Sequence, residues 1–241
     1  MFNTLPPITK NIIIINIVVF IAAYFLPQLG YLFSAYYPFS PNFRSWQIIT
    51  HMFMHGGIMH ILFNMVTLWS FGPILEQRLG GNRYLILYFL SGLGAFVLFN
   101  LWNVYEIQQL TTALADSNIN ISEIYAKADL SKFELGDFPY VTNEDAVRLY
   151  IGLVSKMVGA SGAIFGVVAA FATLYPEARI MMMFIPIPIK VKYLLPIVVV
   201  VSIFLGVSGN VGGIAHLAHV GGALVGWLLA RNWKKHLYRF N

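Results

Sequence analysis

Apolar runs long enough to cross a bilayer recur along this chain, separated by short charged connections. A membrane-spanning helix needs about 20 predominantly apolar residues. Six stretches qualify, at about 11–27, 57–75, 84–103, 157–175, 191–208 and 213–231. A seventh run, Ile180 to Ile189, is shorter and carries Pro186 and Pro188; prolines at that spacing oppose a helix, so it reads as an interfacial loop. The first run, Ile12 to Leu26, is followed by Pro27-Gln28-Leu29-Gly30 rather than a small-residue cleavage pattern, and reads as a retained helix. Only 104–150 looks soluble. It is polar and acidic, with helices expected near Ser122–Lys132 (Ser122 as N-cap) and Asn143–Leu153, and it is too long for a plain connection. The pattern predicts an all-α polytopic membrane protein, one domain over 1–241. It is a six-transmembrane-helix bundle with an insertion, 104–150, between the third and fourth spans.

Composition supports the class. The 241 residues are 58% hydrophobic and only 10% charged, with a mean hydropathy of +0.71, whereas soluble domains are about a quarter charged. The net charge of +5 is not gathered into a nucleic-acid footprint, so no nucleic-acid partner is expected. Basic residues flank the spans instead. With a cytoplasmic N-terminus, Lys10, Arg78, Arg83, Arg179, Lys190, Lys192, Arg231, Lys234, Lys235 and Arg239 all fall inside. Arg44, Lys127, Lys132, Arg148 and Lys156 fall outside, most of them in the long insertion, which counts for little in that rule. Both termini are therefore expected in the cytoplasm, with the chain a multi-pass protein of the cell (inner) membrane. The absence of cysteine excludes disulfides, thiolate metal sites and a cysteine nucleophile.

Polar side chains inside the spans then become the candidates for chemistry, because they are costly at membrane depth. The second span carries His60 and Asn64, the fourth Ser161, the sixth His219. Asn64 precedes Glu76 by twelve residues and His60 by sixteen; Ser161 precedes Glu177 by sixteen and His219 precedes Arg231 by twelve. At helical rise these groups share a level roughly 18–24 Å from the inner boundary. A serine with a histidine as base suffices for nucleophilic hydrolysis. Gly162-xxx-Gly166 and Gly222-xxx-Gly226 let helices approach closely, and packing of those stripes brings Ser161 beside His219.

Alternatives stand beside this reading. His216 lies three residues before His219 on the same helix face, and Lys156, five residues before Ser161, offers a serine–lysine pair. The run His51-xxx-His55-xxxx-His60-xxx-Asn64 also admits a metal site, although the carboxylate base usual in hydrolytic zinc sites is missing. His60 and Asn64, at i and i+4, share a face from which both donate to an oxyanion. Trp46 and its aromatic neighbours read as an interfacial belt, Glu76 and Arg78 as an ion pair holding a loop. The glycine-rich stretch Gly206–Gly213 reads as a movable cap.

Together these motifs resemble the rhomboid intramembrane serine proteases. The run His51 to Asn64, then Glu76-Gln77-Arg78, Gly159-Ala160-Ser161-Gly162 and Ala218-His219-Val220-Gly221-Gly222 stand in that family's order. The resemblance implies Ser161 as nucleophile and His219 as base, with His60, Asn64 and the Ser161 backbone N–H as the oxyanion hole. His55, Gly159, Phe165 and Gly222 are supporting positions. It implies no metal and no cofactor, and as substrates single-pass transmembrane proteins cut near the outer leaflet of the lipid bilayer; it leaves the oligomeric state open. Two departures stand out: Gln47 follows Trp46 where many members have arginine, and Phe165 stands where some members have a tyrosine packing on the base, keeping the aromatic face but not the hydroxyl.

Overall fold

The computed structural model describes residues 5–132, 138–182, 185–207 and 214–237. Among the described residues, six helices build the bundle: α1 (Pro7–Phe25), α4 (Ile58–Leu79), α5 (Gly81–Asp116), α8 (Ser161–Leu174), α9 (Val191–Val207) and α10 (Ile214–Leu237). Between α1 and α4 lie two short helices, α2 (Gln28–Phe33) and α3 (Gln47–Thr50); α6 (Ile121–Lys127) and α7 (Glu144–Val154) follow α5. The fold is a polytopic membrane bundle. Among the described residues, α1, α4 and α5 are each long and apolar enough to cross a membrane, and α8 is a shorter apolar helix.

Two sets of contacts fix which ends meet. Glu76, near the end of α4, accepts hydrogen bonds from the Ile8 and Thr9 backbone N–H groups at 2.9 and 2.7 Å and from the Thr9 hydroxyl at 2.7 Å. A carboxylate thus satisfies the open N–H groups at the start of α1, where the helix dipole favours negative charge. The Lys234 ammonium donates to the Thr173 carbonyl, joining the ends of α10 and α8. These contacts lie at one end of the bundle, called the far end; the starts of α4, α8 and α10 lie at the other, the site end.

Glycine sets the tightest crossings. A methyl group on Gly222 would overlap the Gly162 carbonyl, one on Gly226 the Gly166 carbonyl, and one on Gly221 the Gly94 carbonyl. Helices α5, α8 and α10 therefore approach backbone to backbone, as the small-residue stripes require. Leu68, Leu75, Leu87, Val167 and Ala170 fill the bundle core.

Several expectations change. The stretch Ile180 to Ile189 is not a loop but most of an antiparallel hairpin, β1 (Arg179–Met182) with β2 (Ile185–Lys190), in register Arg179↔Lys190 and Ile180↔Ile189. Prolines that oppose a helix are tolerated at an edge strand. Helix α5 does not stop at the bundle: it runs 36 residues, about 54 Å at helical rise, and its outer turns pack Ile107, Leu110 and Leu114 against Ile124, Ala146, Leu149 and Leu153. The insertion is therefore a small helical cap with a core of its own. Its α6 is capped by Asn120, whose side chain accepts from Glu123 N, and not by Ser122; α7 is capped by Asn143 in the same way. Residues 208–213 of the supposed movable glycine stretch lie outside the described residues.

Candidate active site

Helix α8 begins at Ser161 itself, not at 157, and spans only 14 residues, about 21 Å. An extended segment leads into it. Met157 pairs with Ala35 in a two-residue antiparallel bridge (N to O 2.7 and 3.0 Å), and Gly159 N–H donates to the His51 carbonyl at 3.0 Å. Gly159 holds φ +120°, in the left-handed region that disfavours a side chain. A Cβ there would also stand 2.8 Å from His60 Nε2 and 3.4 Å from Ser161 Oγ. The glycine is needed twice over, for its backbone and for the room it leaves.

Across this gap the Ser161 hydroxyl lies 3.0 Å from His219 Nε2, and the hydrogen bond runs from Oγ–H to the ring nitrogen if the imidazole is neutral. The His219 ring is stacked on Phe165, one turn along α8. His216 meets His219 edge-on, with ring centroids 5.9 Å apart; it is His219 whose nitrogen meets the serine. Lys156 is exposed, its ammonium beside Gly30, and it does not line the cavity.

That cavity, of about 480 Å³, is walled by Met59, His60, Phe63, Asn64, Thr67 and Phe71 of α4, Ser161, Ile164, Phe165 and Val168 of α8, and Ile180, Val191 and His219. His60 Nδ1 accepts a long hydrogen bond from Gly56 N–H at 3.4 Å. That contact assigns the ring proton to Nε2, which faces Gly159. Asn64 Nδ2 is buried with no partner among the described residues, a donor at the cavity wall. Both groups that the sequence offered to an oxyanion thus line the same cavity as the serine.

His55 is buried edge-on against His60 (centroids 5.1 Å), and neither of its ring nitrogens has a partner among the described residues. His51 is buried, and its Nδ1–H donates to the Gln47 carbonyl at 2.8 Å; burial pushes its pKa down to about 4. The three histidines of the proposed metal run do not converge, and among the described residues no group of three or more His, Asp or Glu is placed to hold a metal ion.

Three polar residues lie buried behind the site, of which sequence reasoning singled out Gln47 and passed over Ser40 and Asn42. Gln47 is almost fully buried: its Oε1 accepts from Arg44 N, and its Nε2 donates to the Leu32 and Asn42 carbonyls. A neutral amide thus braces the first connection where an arginine was expected by resemblance. Ser40 and Asn42 are buried in the same connection, and nothing in an aromatic loop without periodicity marked them. Glu76, read as half of an ion pair, caps the start of α1.

The family model of the Rhomboid domain matches this chain over residues 42–111 and 140–233. The match takes in both histidine segments, the glycine-serine segment and most of the bundle, and leaves out 112–139 within the cap.

Proposed function

We propose that this chain, which belongs to the rhomboid family of intramembrane proteases, is a serine endopeptidase acting through Ser161 and His219 on single-pass transmembrane proteins. One observation carries the reading: Ser161 Oγ and His219 Nε2 are 3.0 Å apart at the wall of one cavity at the site end of the bundle. The nucleophile–base distance falls within hydrogen-bond reach, as activation of a hydroxyl requires.

In the reaction, His219 Nε2 takes the Ser161 proton as Oγ attacks the scissile carbonyl carbon. The C=O electron pair moves onto oxygen, and that oxyanion meets His60 Nε2–H, Asn64 Nδ2–H and the Ser161 backbone N–H, the last open because Ser161 begins its helix. The imidazolium then gives its proton to the departing amine, leaving an acyl group on Ser161. Water, deprotonated by His219, releases the new carboxylate. Phe165 keeps the imidazole plane fixed through both proton transfers. Charge placement along the chain favours a protein of the cell inner membrane with both termini cytoplasmic, so the site end faces the outer leaflet.

The experiment is covalent labelling with a fluorophosphonate in detergent, alongside cleavage of a transmembrane substrate. Wild type is expected to label at Ser161 and to cleave, and Ser161→Ala to do neither. Equal labelling of both proteins, or cleavage by Ser161→Ala, sinks the proposal.

A further inference from the structure

One buried asparagine in the first connection holds the cap by several hydrogen bonds, and a series of further bonds leads from it to Gly159, two residues before the serine. Asn42 is fully buried in the connection between α1 and α4. Its Nδ2 donates to the Ala128 carbonyl at 2.7 Å, just past α6, and more weakly to Ser40 Oγ and the Leu153 carbonyl in α7; its Oδ1 accepts from Leu130 N–H at 3.0 Å. Ser40 Oγ donates to the same Leu153 carbonyl at 2.7 Å. Two cap helices are thus held on one side chain.

From there the bonds run inward. The Asn42 carbonyl accepts from Gln47 Nε2 at 3.3 Å, the Gln47 carbonyl from His51 Nδ1 at 2.8 Å, and the His51 carbonyl from Gly159 N–H at 3.0 Å. Gly159 is the residue whose left-handed backbone and missing side chain leave room between His60 and Ser161. The cap reaches the same segment directly as well: Leu153 and Met157 lie four residues apart, each tied to the connection, by Ser40 and by Ala35.

We propose that Asn42 is a positioning residue for the reaction, and that the cap, docked on it, holds Gly159 and hence the Ser161–His60 spacing in the geometry that hydrolysis needs. Loss of the Asn42 contacts frees the first connection, lets the His51 carbonyl drift from Gly159, and widens the gap between hydroxyl and oxyanion donors. Asn42 does not line the cavity, so substrate binding is untouched while turnover falls. The inference rests on the serine-protease reading above.

The test compares wild type, Asn42→Leu, Ser40→Ala, Ile124→Ala and Ser161→Ala for kcat and KM on a transmembrane substrate and for the rate of fluorophosphonate labelling. All are assayed well below their melting temperatures. Ile124 is buried in the cap core and makes none of the bonds in the series; its truncation loosens the cap without cutting the link. Asn42→Leu is expected to lower kcat and the labelling rate on the order of tenfold or more, as small displacements of reacting groups do. KM stays within about twofold, and Ile124→Ala keeps wild-type kcat when folded. An unchanged kcat in Asn42→Leu overturns the proposal, and so does an equal fall in Ile124→Ala, which would reduce the cap to general stability. If Asn42→Leu does not fold, Ser40→Ala decides on the same criteria, with a fall of about two- to tenfold expected for one lost hydrogen bond. Wild type that neither labels nor cleaves sinks the protease reading itself, and this inference with it; active wild type with unaffected variants sinks this inference alone.

Discussion

The rings of Phe165 and His219 lie parallel, with 1° between their planes and 4.2 Å between their centroids. A face-to-face contact of this kind restricts rotation of the imidazole without offering it a hydrogen bond. The base is therefore aimed by packing alone on that side, and no hydroxyl is needed on the aromatic ring. Phe165→Tyr should keep kcat within about twofold, whereas Phe165→Ala should lower it about tenfold, the aromatic contact being of that size. Steady-state cleavage with matched thermal unfolding measures both.

Gly159 gives the sharpest steric test. Gly159→Ala places a methyl group in a left-handed backbone conformation and against the His60 ring. Activity should fall by about a hundredfold, since the displaced group is an oxyanion donor. Near-wild-type turnover by a folded Gly159→Ala protein would remove His60 from the proposed oxyanion site.

The meeting of Ser161 and His219 was legible because the glycine stripes indicated which helices pack together. The six helices were legible as continuous apolar runs. What was hidden depended on tertiary contacts. The run of α5 past residue 103 is sustained by Ile107, Leu110 and Leu114, whose spacing has meaning only once α6 and α7 cover it. The hairpin at 179–190 is set by strand pairing, which a short apolar run does not announce. Asn42 makes its contacts through a single buried amide, and an isolated amide in a loop leaves no pattern to read.

Glu76 should govern stability and leave chemistry alone. Glu76→Ala strips the acceptor from two backbone N–H groups and the Thr9 hydroxyl. The expected loss is about 2–4 kcal/mol, for charge-assisted bonds left unmade in a buried place. Thermal unfolding in micelles should show it, with kcat at low temperature unchanged. A fall in kcat without a fall in melting temperature would contradict this assignment.

His51 makes stability depend on pH. Its folded pKa, about 4, lies below its ordinary 6.5 because burial opposes the charged ring. The unfolded chain therefore binds the proton first. Stability is whole above pH 6.5 and declines as pH falls toward 4, by up to about 1.4 kcal/mol per unit. Melting temperatures of wild type and His51→Asn between pH 7 and pH 4.5 should converge as acid is added, because asparagine has no proton to gain. Parallel profiles would show that this ring does not contribute to the acid sensitivity.

Because α5 continues unbroken from the bundle into the cap, the two cores share one axle. Any tilt of that helix is therefore carried straight into the cap, where the displacement grows with distance along the axis.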